Sequence, residues 1–256
     1  WIIALKWEND LLGNVLIELD PGFVDPDPTE LLEELFIETS RLLSRYHDSH
    51  DNADVNLELV RILVCQHEKM SQGTDALTST MVKQVGRLAR VMAFPPDQER
   101  DLVYGCLLRD VGIFDKTEEF PRGDRTWSNE QRQMWLAHPA AGLALRKDLN
   151  VPQTILDVVK CHHERFDGKG FPQGIEGHAI PLVARVVAIA EHYAEMVTGA
   201  DGQSPLSPVA AAELLRRSAG SRFDPDLVEL FLKAVLPGGA RRRTDSSALP
   251  ELEPVI

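Results

Sequence analysis

Apolar residues return every three or four positions along most of the chain, the spacing that turns one face of an α-helix toward a core. After Thr29, which can cap a helix, Leu31, Leu32, Leu35, Phe36, Leu42 and Leu43 keep this period. Glu30, Glu33 and Glu34 stand in its first turns, where carboxylates favour a helix N-terminus. Past a polar stretch at 47–52, Asp54 can cap a second helix, with Leu59, Val60, Leu63, Val64 and His67 on one face and a break over 71–75. A third helix, about 77–93, stops at Phe94-Pro95-Pro96, and a fourth runs from near Asp97 through Leu102, Val103, Cys106 and Leu107 to Asp110. Beyond an irregular segment at 112–126, Ser128-Asn129-Glu130-Gln131 resembles a capping box and opens a helix to His138-Pro139, continued over 140–146. Val151-Pro152 starts a helix that ends on His162 and His163. Pro181, Pro208 and Pro225 each stand near the N-terminus of a further helix, reaching about 197, 219 and 235.

One stretch departs from this period. The run Asn14-Val15-Leu16-Ile17-Glu18-Leu19, closed by Asp20-Pro21-Gly22, reads as a strand and turn standing alone among helices. The pattern predicts an all-α fold with a strand and linker at 1–28, the end of an upstream domain. N-terminal helices follow at 29–70, the main helical domain at 71–236, and a flexible tail at 237–256.

Composition narrows the function classes. The 256 residues carry 40 acidic and 27 basic side chains, a net charge of −13, with no basic stripe, so non-specific binding to nucleic acid or an anionic membrane is disfavoured. Cys65, Cys106 and Cys161 show no CxxC spacing and read as reduced thiols of a cytoplasmic protein. No apolar run reaches the roughly 18 residues that span a bilayer. There is no signal peptide and no initial Met, which reads as a piece of something longer.

Candidate chemistry concentrates in Cys161-His162-His163-Glu164-Arg165-Phe166-Asp167-Gly168-Lys169-Gly170-Phe171-Pro172. Two adjacent histidines beside a Gly-rich turn are more than packing needs, whereas a lone helical His such as His67 or His192 is ordinary. With Asp110, His138 and Glu191 from other helices, His162 and His163 make an imidazole and carboxylate set suited to Fe, Mn or Zn.

These residues resemble the HD-GYP domains of bacterial signalling proteins, whose active members hydrolyse cyclic di-GMP. HHERFDGKGFPQG is similar to the family's HHE-x-x-DG-x-GYP signature, AHPAAG at 137–142 to its HP-x-x-G, and LLRDVGIFD at 107–115 to its LLHDIGK. Ser218-Ala219-Gly220 and Arg222-Phe223-Asp224-Pro225 resemble its closing element. The resemblance covers about 77–236 and implies an HD-domain bundle extended by C-terminal helices.

The departures are as informative as the matches. The HD His is Arg109 beside a retained Asp110, the following Lys is Ile113, and the late metal-binding Asp is Glu191. The motif Tyr is Phe171, the upstream Glu and His fall on Gly73 and Leu77, and the expected late basic residues fall on Ala200 and Gln203. Arginine has no lone pair for a metal, so Arg109 is expected to pair with Asp110 or Glu191. Asp110, His138 and His162, with His163 nearby, remain for one divalent ion (Fe, Mn or Zn), or for none.

The resemblance thus implies a degenerate module with Asp110 as the remnant of the catalytic pair, little or no phosphodiesterase activity and weak or absent cyclic di-GMP binding. It would act through contacts of the loop at Gly168, Gly170, Phe171 and Pro172 with GGDEF-domain or other signalling proteins, with a homodimer as a further partner for the N-terminal helices. Two alternatives stand beside it: a working phosphodiesterase with a reduced metal site that uses Glu191, and a metal-free polar core in a structural or interaction domain.

Overall fold

A computed structural model describes residues 2–7, 10–16, 52–72, 76–113, 127–144, 151–200 and 204–236. The chain divides into two units, 1–63 and 64–256. The expected helix over 29–46 and the expected tail lie outside the described residues.

The first unit contains a hairpin of β1 (Ile2–Trp7) and β2 (Asp10–Leu16), paired antiparallel from Ile2 opposite Leu16 to Trp7 opposite Asp10, with a register shift between Leu5 and Lys6. The lone strand expected at 14–19 is therefore one edge of a pair, of which 14–16 belong to β2. Its partner was not legible because Trp1-Ile2-Ile3-Ala4-Leu5 is a short apolar run without alternation, and such a run does not separate strand from helix.

The helical part follows the predicted order: α1 (Asn52–Gln72), α2 (Ala76–Val91), α3 (Pro96–Leu108), α4 (Asn129–Ala144), α5 (Gln153–Cys161), α6 (Leu182–Thr198), α7 (Pro208–Arg217) and α8 (Pro225–Val235). Their boundaries have local causes. Prolines occupy the first turns of α3, α7 and α8, where a missing N–H costs nothing. Asp224 caps α8 by accepting from the N–H groups of Asp226 and Leu227, and α6 stops at Gly199, whose φ of 71° is left-handed. At α4 the capping box is reciprocal: Gln131 N–H donates to Ser128 Oγ at 3.2 Å, and Ser128 N–H to Gln131 Oε1 at 2.8 Å. The buried Glu68 of α1 caps the next helix, accepting from the N–H groups of Leu77 and Thr78 at 3.0 Å each.

The core lies around α2 and α6, which pack on each other, with α3 and α8 also against α2. Met81, Val85, Leu88, Leu102, Ile189 and Phe231 are fully buried there. Each such side chain contributes about 1.5–3 kcal/mol by leaving water. Helices α3 and α5 approach closely because position 105 is glycine: a Cβ there would lie 2.9 Å from Val158 Cγ2. This packing sets the end of α3 beside the end of α5, and α4 packs on α5. Three chain segments thus converge where α3 and α5 run out.

Candidate metal centre

Helix α3 ends at Leu108, and the turn that follows carries Arg109 and Asp110. His138 comes from α4, while His162 and His163 follow the last turn of α5. His138 Nε2, His162 Nε2 and Asp110 Oδ1 form a triangle with sides of 3.3, 3.4 and 3.4 Å. A ligand nitrogen of His163 lies within 4.8 Å of the other three ligand atoms.

The backbone decides what faces the centre of that triangle. A carbonyl oxygen can only accept, so His138 Nδ1–H donates to Trp135 O at 2.6 Å and His162 Nδ1–H to Val158 O at 3.0 Å. When the rings are neutral both Nε2 atoms present lone pairs to Asp110 Oδ1, which is buried and accepts no hydrogen bond from the described residues. The Nε2 of His163 is likewise buried without a hydrogen-bond partner among the described residues. The sides are longer than the roughly 2.7–2.9 Å of a charge-assisted hydrogen bond. They suit ligands at about 2.0–2.1 Å from one ion, whose tetrahedral edges are about 3.3–3.4 Å. The donor set and spacing fit one divalent metal ion.

The other face of Asp110 is closed. Arg109, 5% exposed, donates from Nε to Glu191 Oε1 at 2.6 Å, lies 3.2 Å from Asp110 Oδ2, and donates from Nη1 to Cys106 O at 3.0 Å. Four of the five residues read as metal ligands, Asp110, His138, His162 and His163, come together; Glu191 stands apart because its carboxylate is held by Arg109.

The Gly-rich loop roofs the cluster. Gly168 has a φ of 74°, and a Cβ on Gly170 would fall 2.3 Å from Arg165 N and 2.5 Å from His163 O, so the loop lies directly on the histidine backbone. Phe171 stacks on His163 with ring centroids 4.7 Å apart, and Trp135 flanks the same imidazole at 5.2 Å. Pro172, Gln173 and Gly174 are exposed. Sequence reasoning missed Trp135, which supplies a carbonyl to one ligand and a ring to two; its signal was its place three residues before His138.

The charges sort themselves by environment. Burial would push Asp110 up, but the Arg109 guanidinium holds it well below the usual carboxylate range. Burial pushes Glu191 upward against the pull of Arg109. Burial takes His138 down to about 4, and burial with the charge of His162 takes His163 well below the usual imidazole value. Burial also opposes protonation of His162, yet the carboxylates of Asp110 and Glu191 raise it overall.

These shifts make the metal-free chain sensitive to acid. Between pH 6.5 and about 4 an unfolded chain protonates His138 and the folded chain does not, so stability falls with pH by about 3 kcal/mol through this residue. His163 acts in the same direction. His162 and Glu191 act oppositely, their contributions being full below their unfolded values of 6.5 and 4.5 and lost as pH rises through their raised folded values. Asp110 contributes throughout this window, since its stabilisation is lost only below the unfolded value of 3.8. Thermal unfolding in chelator is expected to show a lower midpoint at pH 4.5 than at pH 7; an unchanged or higher midpoint contradicts the assignment.

Residues 58–227 match the HD domain family, and the chain belongs to that family. Within it the HD-GYP resemblance stands. The chain is 25% identical over 182 residues to a cyclic di-GMP phosphodiesterase of Thermotoga maritima, covering 70% of this chain and 50% of that protein. It is 25% identical over 186 residues to a 3'3'-cGAMP-specific phosphodiesterase of Vibrio cholerae, covering 72% of this chain and 35% of that one. The solved structure of an HDG"Y"P protein from Bdellovibrio bacteriovorus superposes with a TM-score of 0.54 at 17% identity, over 83% of this chain and 73% of that one, which establishes the shared fold. The chain spans half or less of the length of these two curated relatives.

Proposed function

We propose that the chain is a degenerate HD-GYP module of bacterial cyclic di-GMP signalling, with little or no phosphodiesterase activity, that acts in the cytoplasm through protein contacts. The observation that carries this reading is the guanidinium of Arg109 set between Asp110 and Glu191. Hydrolysis of a phosphodiester needs an activated water and positive charge against the phosphoryl oxygens, which two ions about 3.5–4 Å apart supply together. A single divalent ion held by Asp110, His138 and His162, with His163 adjacent, would supply Lewis acidity on one side only.

On the other side this chain offers Arg109, which neutralises two carboxylates but can neither ligate nor take a proton from water. Ile113 is buried and apolar where a cation would serve a phosphate, and Ala200 is apolar as well. Each such loss is worth on the order of 3 kcal/mol of transition-state stabilisation, or about two decades in rate. The exposed Pro172–Gln173–Gly174 tip, held by a packed Phe171, is the surface the proposal assigns to GGDEF-domain or other signalling partners.

The intact lone-pair triangle favours a second reading, an active phosphodiesterase with a reduced site. A metal-free polar core has less support, because Asp110 Oδ1 and His163 Nε2 would then stay buried without hydrogen bonds from the described residues. Hydrolysis of cyclic di-GMP and 3'3'-cGAMP with added manganous or ferrous ion tests the proposal. The expected rate is at least about 100-fold below that of an active family member.

A further inference from the structure

Pro139 lies inside α4, where a proline withholds the N–H that the carbonyl four residues back would receive and crowds that carbonyl with its ring. Here the carbonyl four residues back is Trp135 O, and it accepts the His138 Nδ1–H at 2.6 Å. His162 provides the contrast within the same cluster. Its anchor, Val158 O, is shared: the His162 backbone N–H reaches it at 3.1 Å and Nδ1–H at 3.0 Å. His162 closes α5, whereas His138 sits within a continuing helix, where the next residue, Pro139, has no N–H to offer the Trp135 carbonyl.

We propose that Pro139 is a positioning residue for the cluster: by lacking an N–H it reserves the Trp135 carbonyl for His138 Nδ1, and so keeps the His138 Nε2 lone pair aimed at Asp110 Oδ1 and His162 Nε2. Without that reservation the imidazole proton has a second place to go. On Nε2 it would point at the Asp110 carboxylate and fill the position that a cation needs. The inference deepens the reading of the cluster as a metal site, and it gives a buried proline inside a helix a purpose beyond packing.

The test is Pro139→Ala. As a purely structural element the proline is a burden, so alanine should leave the melting temperature unchanged or raise it. As a positioning element its loss should lower zinc affinity, measured by calorimetry, about 10- to 100-fold, as when other outer partners of ligating histidines are removed. The direct readout is imidazole nitrogen NMR of the metal-free protein at pH 7. Wild type should show His138 protonated at Nδ1 alone, and Pro139→Ala should shift part or all of the population to Nε2. An unchanged tautomer in the variant overturns the proposal. If wild type takes up no zinc, the metal reading fails, while the tautomer measurement still decides the role of Pro139.

Discussion

Arg109→Ala is expected to destabilise the helical unit by about 3–5 kcal/mol, the cost of leaving buried charges without their partner. For a unit of this size that is a fall of about 6–20 °C in melting temperature. Asp110 is held well below the usual carboxylate range chiefly by Arg109, and Glu191 is already pushed upward by burial, so removing the guanidinium strands one strong acid and one weak one inside the fold. The double variant Arg109→Ala, Glu191→Gln should recover part of the loss, since one of the two charges is then gone. Thermal unfolding of the three proteins measures both steps. Equal stability of wild type and Arg109→Ala contradicts the description of this pair as buried and coupled.

Gly112→Ala should act on the site through the backbone. A Cβ at this position would lie 2.1 Å from His138 O and 2.4 Å from Gly142 N, atoms of α4 that cannot turn aside as a side chain can. The helix must move away from the turn after Asp110 by about 1 Å, and His138 moves with it. The expected cost is about 3 kcal/mol, at the upper end for overpacking, with loss of metal binding. Gly142→Ala serves as a comparison, because its closest contact is the side-chain methyl Val159 Cγ1 at 2.8 Å. It should be milder in both respects; a Gly112→Ala protein that binds metal as wild type does would contradict the close docking of α4.

Much of this was legible along the chain. The apolar period gave the helices, the Ser128–Gln131 pair marked the start of α4, and His138, His162 and His163 stood out by type and by their neighbours. These signals are local, and helical bundles express them faithfully. What was not legible depends on distance in space. Arg109 was expected to pair with Asp110 or Glu191; that it bridges both, across 82 positions in sequence, follows only from where α6 packs. Glu191 Oε1 accepts from Arg109, and the four ligand atoms that lie together are those of Asp110, His138, His162 and His163. The proline after His138 read as a motif residue, and its effect on the Trp135 carbonyl needs the helix to be seen passing through it. Strand β1 was hidden because a short apolar run has no period to read.

The most direct test of the central claim, that Arg109 has closed one side of Asp110 and left a site without effective turnover, is a single assay. Wild type and His162→Ala are incubated with cyclic di-GMP and manganous or ferrous ion, and the products are separated by chromatography beside an active family member. No linear or mononucleotide product above the metal-only blank over several hours, in either protein, is the predicted result. Steady product formation by wild type that His162→Ala abolishes would contradict the claim and show that the reduced site is a working phosphodiesterase.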